Sequence, residues 1–314
     1  MRPLFASAHV IAFLALATAS CGGDTPESSA EAVAERDRPT FPLDADIWVA
    51  DLDRQDGALV LGPPREAIHR AGYDNQPYFT PDGEGFWYAG MDEHSGQAEI
   101  FLYRMNGPFE QVTQTAPESE YSPTPLPDGT GLSVVRVEPD STQRLWKIPF
   151  DGSEDTVLLP NLAPVGYHAW IDASTVALFV LGSPPTLQIA ELGGGTPRAV
   201  GGDIGRSIRS IPGVAAVSFV ALGEDSTAVL TRYDLDGTIT PLVETVGNGD
   251  FHAWTPDGTV LMARGAQIHA WTPGDAGWTL VADLTEHNVR VTRLAVSPDG
   301  THIALVVEPG NVTL

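Results

Sequence analysis

The tripeptide Pro-Asp-Gly recurs along this chain at Pro81-Asp82-Gly83, Pro127-Asp128-Gly129, Pro256-Asp257-Gly258 and Pro298-Asp299-Gly300, each time between two short apolar runs. Proline presets φ for the first turn position, while Asp and Gly accept the bends that follow, so each copy reads as a tight hairpin between antiparallel strands. The first two copies and the last two are separated by nearly the same interval. Two degenerate copies fill the gap: Trp170-Ile171-Asp172-Ala173-Ser174 replaces the turn in one, and Ile211-Pro212-Gly213 in the other. A period of this size marks a repeat architecture in which each unit hides its apolar surface against its neighbours.

After each hairpin come two further runs with β-type alternation. Glu99 to Tyr103, a turn at Asn106-Gly107 and a strand from Phe109 to Thr113 show the design. It returns as Arg144 to Ile148 with Asp151-Gly152, Ala228 to Tyr233 with Asp236-Gly237, and Gln267 to Trp271 with Gly274-Asp275. Four strands per unit and six units predict an all-β fold, a six-bladed β-propeller with four antiparallel strands per blade. The last unit stops at its second strand, Ile303 to Val307. The first strands of the domain, Asp46 to Ala50 and Ala58 to Leu61, lack partners of their own. The sequence therefore predicts that the N-terminal strands close the last blade as its third and fourth, which removes an exposed sheet edge.

The pattern of aromatic strand, Ser/Thr-Pro-Asp-Gly, apolar strand and third strand ending in Asp-Leu-Asp-Gly or Met-Asn-Gly resembles the TolB-type propeller repeat. Phe79-Thr80-Pro81-Asp82-Gly83, Val296-Ser297-Pro298-Asp299-Gly300 and Tyr233-Asp234-Leu235-Asp236-Gly237 carry the resemblance, which extends from Asp46 to the C-terminus. It implies a fold more than a function. TolB itself has an α/β domain ahead of its propeller. The sequence here offers no such domain, so a part in the Tol system does not follow.

Met1-Arg2, the apolar run Val10 to Ala17, and Thr18-Ala19-Ser20 ahead of Cys21 read as a secretory signal over residues 1–20. Cys21 is the only cysteine, and its setting resembles a lipobox, whose cysteine is acylated. An ordinary cleaved signal with an incidental thiol is the alternative. Gly22 to Thr40 is rich in Gly, Ser, Ala, Glu and Pro and buries too little to order itself, so residues 21–40 read as a lipidated tether and 41–314 as the propeller. The expected location is periplasmic or at the outer membrane or cell surface, held by the lipid anchor. No disulfide is possible, and stability must come from core burial and ring closure.

The formal net charge is −24, and Lys147 is the only lysine. An acidic surface argues against nucleic acid as a partner. Such a charge suits either a salty habitat or simple solubility.

Aligned on their turns, the six units place Gln76, Ser122, His168, Arg209, His252 and Arg293 at one equivalent position of the innermost strand, near the channel mouth. Two histidines and two arginines on consecutive blades would form an anion-attracting half-ring, since guanidinium forks grip carboxylate or phosphate in two-point contact. Tyr167 and Phe251 would add stacking faces. The plain alternative is that these arginines pair with carboxylates and the histidines bond backbone carbonyls, filling a polar channel.

The sequence shows no Gly-x-Ser-x-Gly elbow and no His-Glu-x-x-His zinc pair, and it calls for no cofactor or metal. It predicts a monomer that binds a protein, peptide or anionic saccharide without catalysis. The rival reading is a lyase or hydrolase acting on an acidic oligosaccharide, with a histidine as base and the arginines neutralising a substrate carboxylate.

Overall fold

The computed structural model describes residues 44–92, 96–225 and 227–310. The signal segment, Cys21 and the tether lie outside the described residues. Within them the chain is a six-bladed β-propeller. Blade one is built of Gly72–Phe79, Gly85–Asp92, Glu99–Arg104 and Glu110–Gln111, and blades two to five are separate four-stranded sheets. Their innermost strands are Ser119–Pro125, Val165–Trp170, Ile204–Ser210 and His252–Trp254.

Blade six closes as the repeat predicts. Val289–Val296 and His302–Pro309 form its inner pair, and the long strand Asp44–Gln55 is its third member, antiparallel to the second from Asp46↔Val307 to Asp51↔His302. The fourth place differs from the sequence expectation. Arg65–Ile68 pairs with the outer edge beside Ile47 to Val49, and Ala58–Leu61 folds back on Leu52 to Gln55. The third strand outruns the blade, so its overhang needs its own partner. Asp56 and Gly57, with φ of 51° and 88°, supply the tight hairpin turn that delivers it.

At the other hairpins the turn chemistry repeats. Gly83, Gly129, Gly258 and Gly300 sit at φ between 70° and 86°, where a side chain would be strained. The Asp82 carboxylate accepts the Glu84 amide at 3.0 Å, and Asp299 accepts the Thr301 amide at 3.0 Å. The degenerate turn does the same with Asp172, which accepts the amides of Ser174 and Thr175.

The core lies between blades. Second strands such as Thr175–Val180 are buried along their whole length, because both faces meet a neighbouring sheet, and so they read as continuous apolar runs. One core cluster joins Trp170, Val176 and Leu178 of blade three to Val135 and Leu145 of blade two, and another joins Ile47 and Val306 of blade six to Phe86 and Tyr88 of blade one.

Candidate binding site in the channel

In every blade the residue that opens the hairpin donates its amide to the carbonyl that begins the second strand. These residues are Thr80, Leu126, Ile171, Ile211, Thr255 and Ser297. Counting back equally from them puts Gln76, Ser122, Tyr167, Ser207, Phe251 and Arg293 on one level of the channel. The level nearer the turns holds Tyr78, Thr124, Ala169, Arg209, Ala253 and Ala295. Three of the six residues aligned from sequence thus share one level, and five of them, all but His252, border one small cavity in the bore. Phe251, not His252, stands as far ahead of Gly258 as Gln76 stands ahead of Gly83. Register shifts at Asn75/Tyr78, Tyr121/Thr124 and Ile204/Ile208 mark bulges in these strands, and each bulge re-aims the residues before it.

His168 and His252 do not form a cationic ring. Both turn back onto the preceding blade, where they make the same contact twice. Ser133 Oγ donates to the Thr124 carbonyl and lies 2.7 Å from His168 Nε2, and it accepts Trp170 Nε1–H at 3.0 Å. Ser218 Oγ likewise donates to the Arg209 carbonyl, lies 2.7 Å from His252 Nε2 and accepts Trp254 Nε1–H at 2.8 Å. With its own proton committed to a carbonyl, each serine must accept from the imidazole, which places the histidine proton on Nε2. Burial holds both imidazoles neutral, their pKa pushed down to about 3. His-Ala-Trp is thus an inter-blade clamp, used in blades three and five, and His168, whose Nδ1 is buried without a partner, also borders the turn-side part of the bore. The tripeptide's repetition in the sequence was the available signal.

Arg293 crosses the channel. Its Nη2 donates to the Tyr167 hydroxyl at 2.9 Å, joining blade six to blade three, and its guanidinium lies 3.8 Å from the Phe251 ring centroid and 5.1 Å from that of Tyr167. Arg209 approaches Tyr78 one level deeper, with its Nε donating to the His252 carbonyl at 3.2 Å. Among the described residues neither arginine has a carboxylate within ion-pair distance. Gln76 links blades one and two, its side-chain carbonyl accepting the Ser122 amide at 2.6 Å. Gln76 and Ser122 hold φ of 59° and 55°, an uncommon conformation for side-chain-bearing residues, and Ser122 Oγ is buried without a partner.

Together these side chains divide the bore. Between the two arginine levels remains a space of about 30 Å³, room for little more than solvent. On the turn side lies a cavity of about 350 Å³. On the side where the innermost strands begin, here called the inlet, lies one of about 460 Å³. The inlet cavity draws on Arg206, Arg264, Arg290 and Arg293, with Tyr73 and Phe251 as aromatic walls. Arg206 is paired to Asp250 at 3.3 Å and lies over Phe251, and Arg290 is paired to Glu308. Arg206 was not foreseen from sequence, since it stands inside the bulge of blade four.

Asp250 and Glu308 line the same inlet cavity, and two further carboxylates are buried outside it. Asp74 is buried against Arg70 at 2.6 Å, and Glu120 against Arg136 at 2.7 Å. Desolvation raises the Asp74 carboxyl to about 6 and lifts that of Glu120 above its usual range. Among the described residues no cluster of three metal-ligating side chains occurs, and no helix is long and apolar enough to cross a membrane.

The class defined by these features is a six-bladed β-propeller with a bore closed midway by an arginine–aromatic bridge. Its relations are structural, for no family profile and no curated protein matches the chain. TolB from Acinetobacter baumannii superposes with a TM-score of 0.56 at 14% identity, over 84% of this chain and 64% of its own length. A protein from Agrobacterium tumefaciens described as a TolB gives 0.65 at 14%, over 85% and 99%. One described as a gluconolactonase gives 0.52 at 10%, over 76% and 89%. The likeness makes the fold TolB-like and leaves function to the side chains.

Proposed function

We propose that this chain is an exported lipoprotein, acylated at Cys21, whose propeller binds an anionic group of a protein, peptide or saccharide at the channel inlet without catalysis. The observation that carries the reading is Arg293: a guanidinium held between aromatic faces with no carboxylate beside it, in a molecule of net charge −24. An acidic protein has carboxylates to spare, so a cation kept free of them is preorganised for a ligand's charge. Arg206, exposed and only loosely paired, adds a second guanidinium beside the same ring. Gln76 and Ser122 lie on the Arg293 level, in the constriction beside the inlet cavity. His168, Arg209 and His252, first grouped with them, take no part at the inlet in this reading.

The test is thermal unfolding of the protein with oligogalacturonate, with an acidic peptide and with their uncharged counterparts. A ligand at a hundredfold its dissociation constant adds about 2.7 kcal/mol. Stabilisation by the acidic compounds that Arg293→Ala abolishes supports the site. Equal stabilisation of both proteins removes it. Incorporation of labelled fatty acid into the wild type but not Cys21→Ser tests the anchor.

A further inference from the structure

The turn-side cavity is chemically unlike the inlet. Each Pro-Asp-Gly turn and its degenerate copy in blade four brings an apolar ring to the rim, so that Pro212, Pro256 and Pro298 stand around the opening. A shallower cavity of about 500 Å³, bounded by Pro81, Pro125 and Pro127, adjoins it through Tyr78, Phe79, Ser210 and Pro298. Deeper in, the level shared by Ala169, Ala253 and Ala295 is lined by methyl groups on three blades, and these small side chains are what leave the bore open. Ile208, Phe79 and Trp254 complete a largely apolar wall.

At the floor of this apolar funnel sits a charge. Arg209 spends its Nε on the His252 carbonyl, and its terminal nitrogens make no hydrogen bond to any described residue. No described carboxylate pairs with it. Tyr78, from the opposite blade, also lines the cavity, with a hydroxyl that makes no hydrogen bond to any described residue. Arg209 is half-buried, and a cation partly withdrawn from water without a counter-ion is costly, so a site beside it favours a ligand that supplies the negative charge. The Arg293–Tyr167 bridge keeps the inlet ligand on the far side.

We propose that the turn-side funnel is a second binding site, taking an apolar monocarboxylic acid whose carboxylate is received by Arg209 and Tyr78 and whose hydrocarbon body fills the alanine-lined bore. The cavity volume of about 350 Å³ falls within the range of small-molecule sites. The apolar wall selects against sugars and short acids, and the arginine selects for the anion over the corresponding alcohol. This site goes beyond the inlet reading and stands or falls separately from it, because the two cavities lie on opposite sides of the constriction and favour ligands of opposite polarity.

The experiment is calorimetric titration of the protein with decanoate, with decanol as the neutral chain and acetate as the bare charge. The expected result is that decanoate binds with one site per chain, at least tenfold more tightly than decanol, and that acetate does not bind. Arg209→Gln should erase the preference for decanoate over decanol. Ala295→Phe, which narrows the bore and leaves the arginine in place, should weaken both chains together. If Arg209→Gln does not fold, the Ala295→Phe comparison decides. Absence of decanoate binding to the folded wild type, equal binding of decanoate and decanol, or binding untouched by the narrowed bore would each overturn the proposal.

Discussion

Arg293 of blade six donates to the Tyr167 hydroxyl of blade three across the full width of the channel, at 2.9 Å, while its guanidinium faces the Phe251 ring of blade five. One side chain thus ties three blades together at the axis. Removing it should cost more than an ordinary surface arginine would.

Arg293→Ala is expected to lower stability by about 2 kcal/mol, combining a charge-assisted hydrogen bond with a desolvated cation–π contact. Tyr167→Phe, which keeps the ring and deletes only the hydroxyl, should cost about 1 kcal/mol. A double-mutant cycle by urea unfolding should return a coupling energy of about 0.5–3 kcal/mol, and additive effects would mean that the bridge contributes nothing.

Ser133→Ala and Ser218→Ala remove the shared acceptor of a buried imidazole and a buried indole. Each should destabilise by about 1–3 kcal/mol, because two donors lose their partner inside the protein. Alanine at Ser153, which sits in an exposed turn, is the control and should stay within about 0.5 kcal/mol. Denaturant midpoints of the three variants check this directly.

The clamps also set the pH response. Native His168 and His252 stay neutral down to about pH 3, whereas the unfolded chain protonates them near 6.5. Each contributes stability that is complete above pH 6.5 and declines as pH falls, by about 1.4 kcal/mol per unit until the native pKa is reached. Asp74, raised to about 6, acts in the opposite sense, as does Glu120: their contribution is complete below the unfolded carboxylate range and is lost as pH rises through the raised values. The two effects offset each other between about pH 4.5 and 6.5, so the unfolding midpoint should be nearly flat there and fall steeply below. Below pH 4 the turn aspartates Asp82, Asp128 and Asp299, whose carboxyls are held low by hydrogen bonds, add to the loss. In His168→Gln/His252→Gln the flat region should instead slope toward greater stability at lower pH. An unchanged profile would contradict the neutral, clamped state of the histidines.

Gly85 and Gly131 open the second strands of blades one and two, and a β-carbon at either would press on a backbone carbonyl of the third strand, that of Tyr103 or Ile148. Backbone cannot rotate away as a side chain does. Gly85→Ala and Gly131→Ala should each cost about 1–3 kcal/mol, and Gly195→Ala, where the space is open, about nothing. Thermal midpoints of the three variants test the contrast.

The fold was legible because turn chemistry is local. Proline, aspartate and glycine state their dihedral preferences within three residues, and where Pro-Asp-Gly recurs in phase the strands between have no other arrangement that hides their apolar faces. Closure by Asp46 to Ala50 followed from the unpaired second strand at the other end. The candidate site was legible only in part. Gln76, Ser122 and Arg293 were measured against intact turns and fell on one level. His168 and Arg209 were measured against degenerate turns, and His252 was set one residue off.

What the sequence determined by itself, then, was the blade count, the hairpins and the ring closure, each specified by residues that are neighbours along the chain or repeat in phase. Only the tertiary structure decided which side chains enter the bore. A bulge shifts the level of every residue that precedes it. Whether a histidine faces a ligand or a serine depends on the blade next to it, which is set by packing between residues such as Ser218 and His252 that lie far apart in sequence.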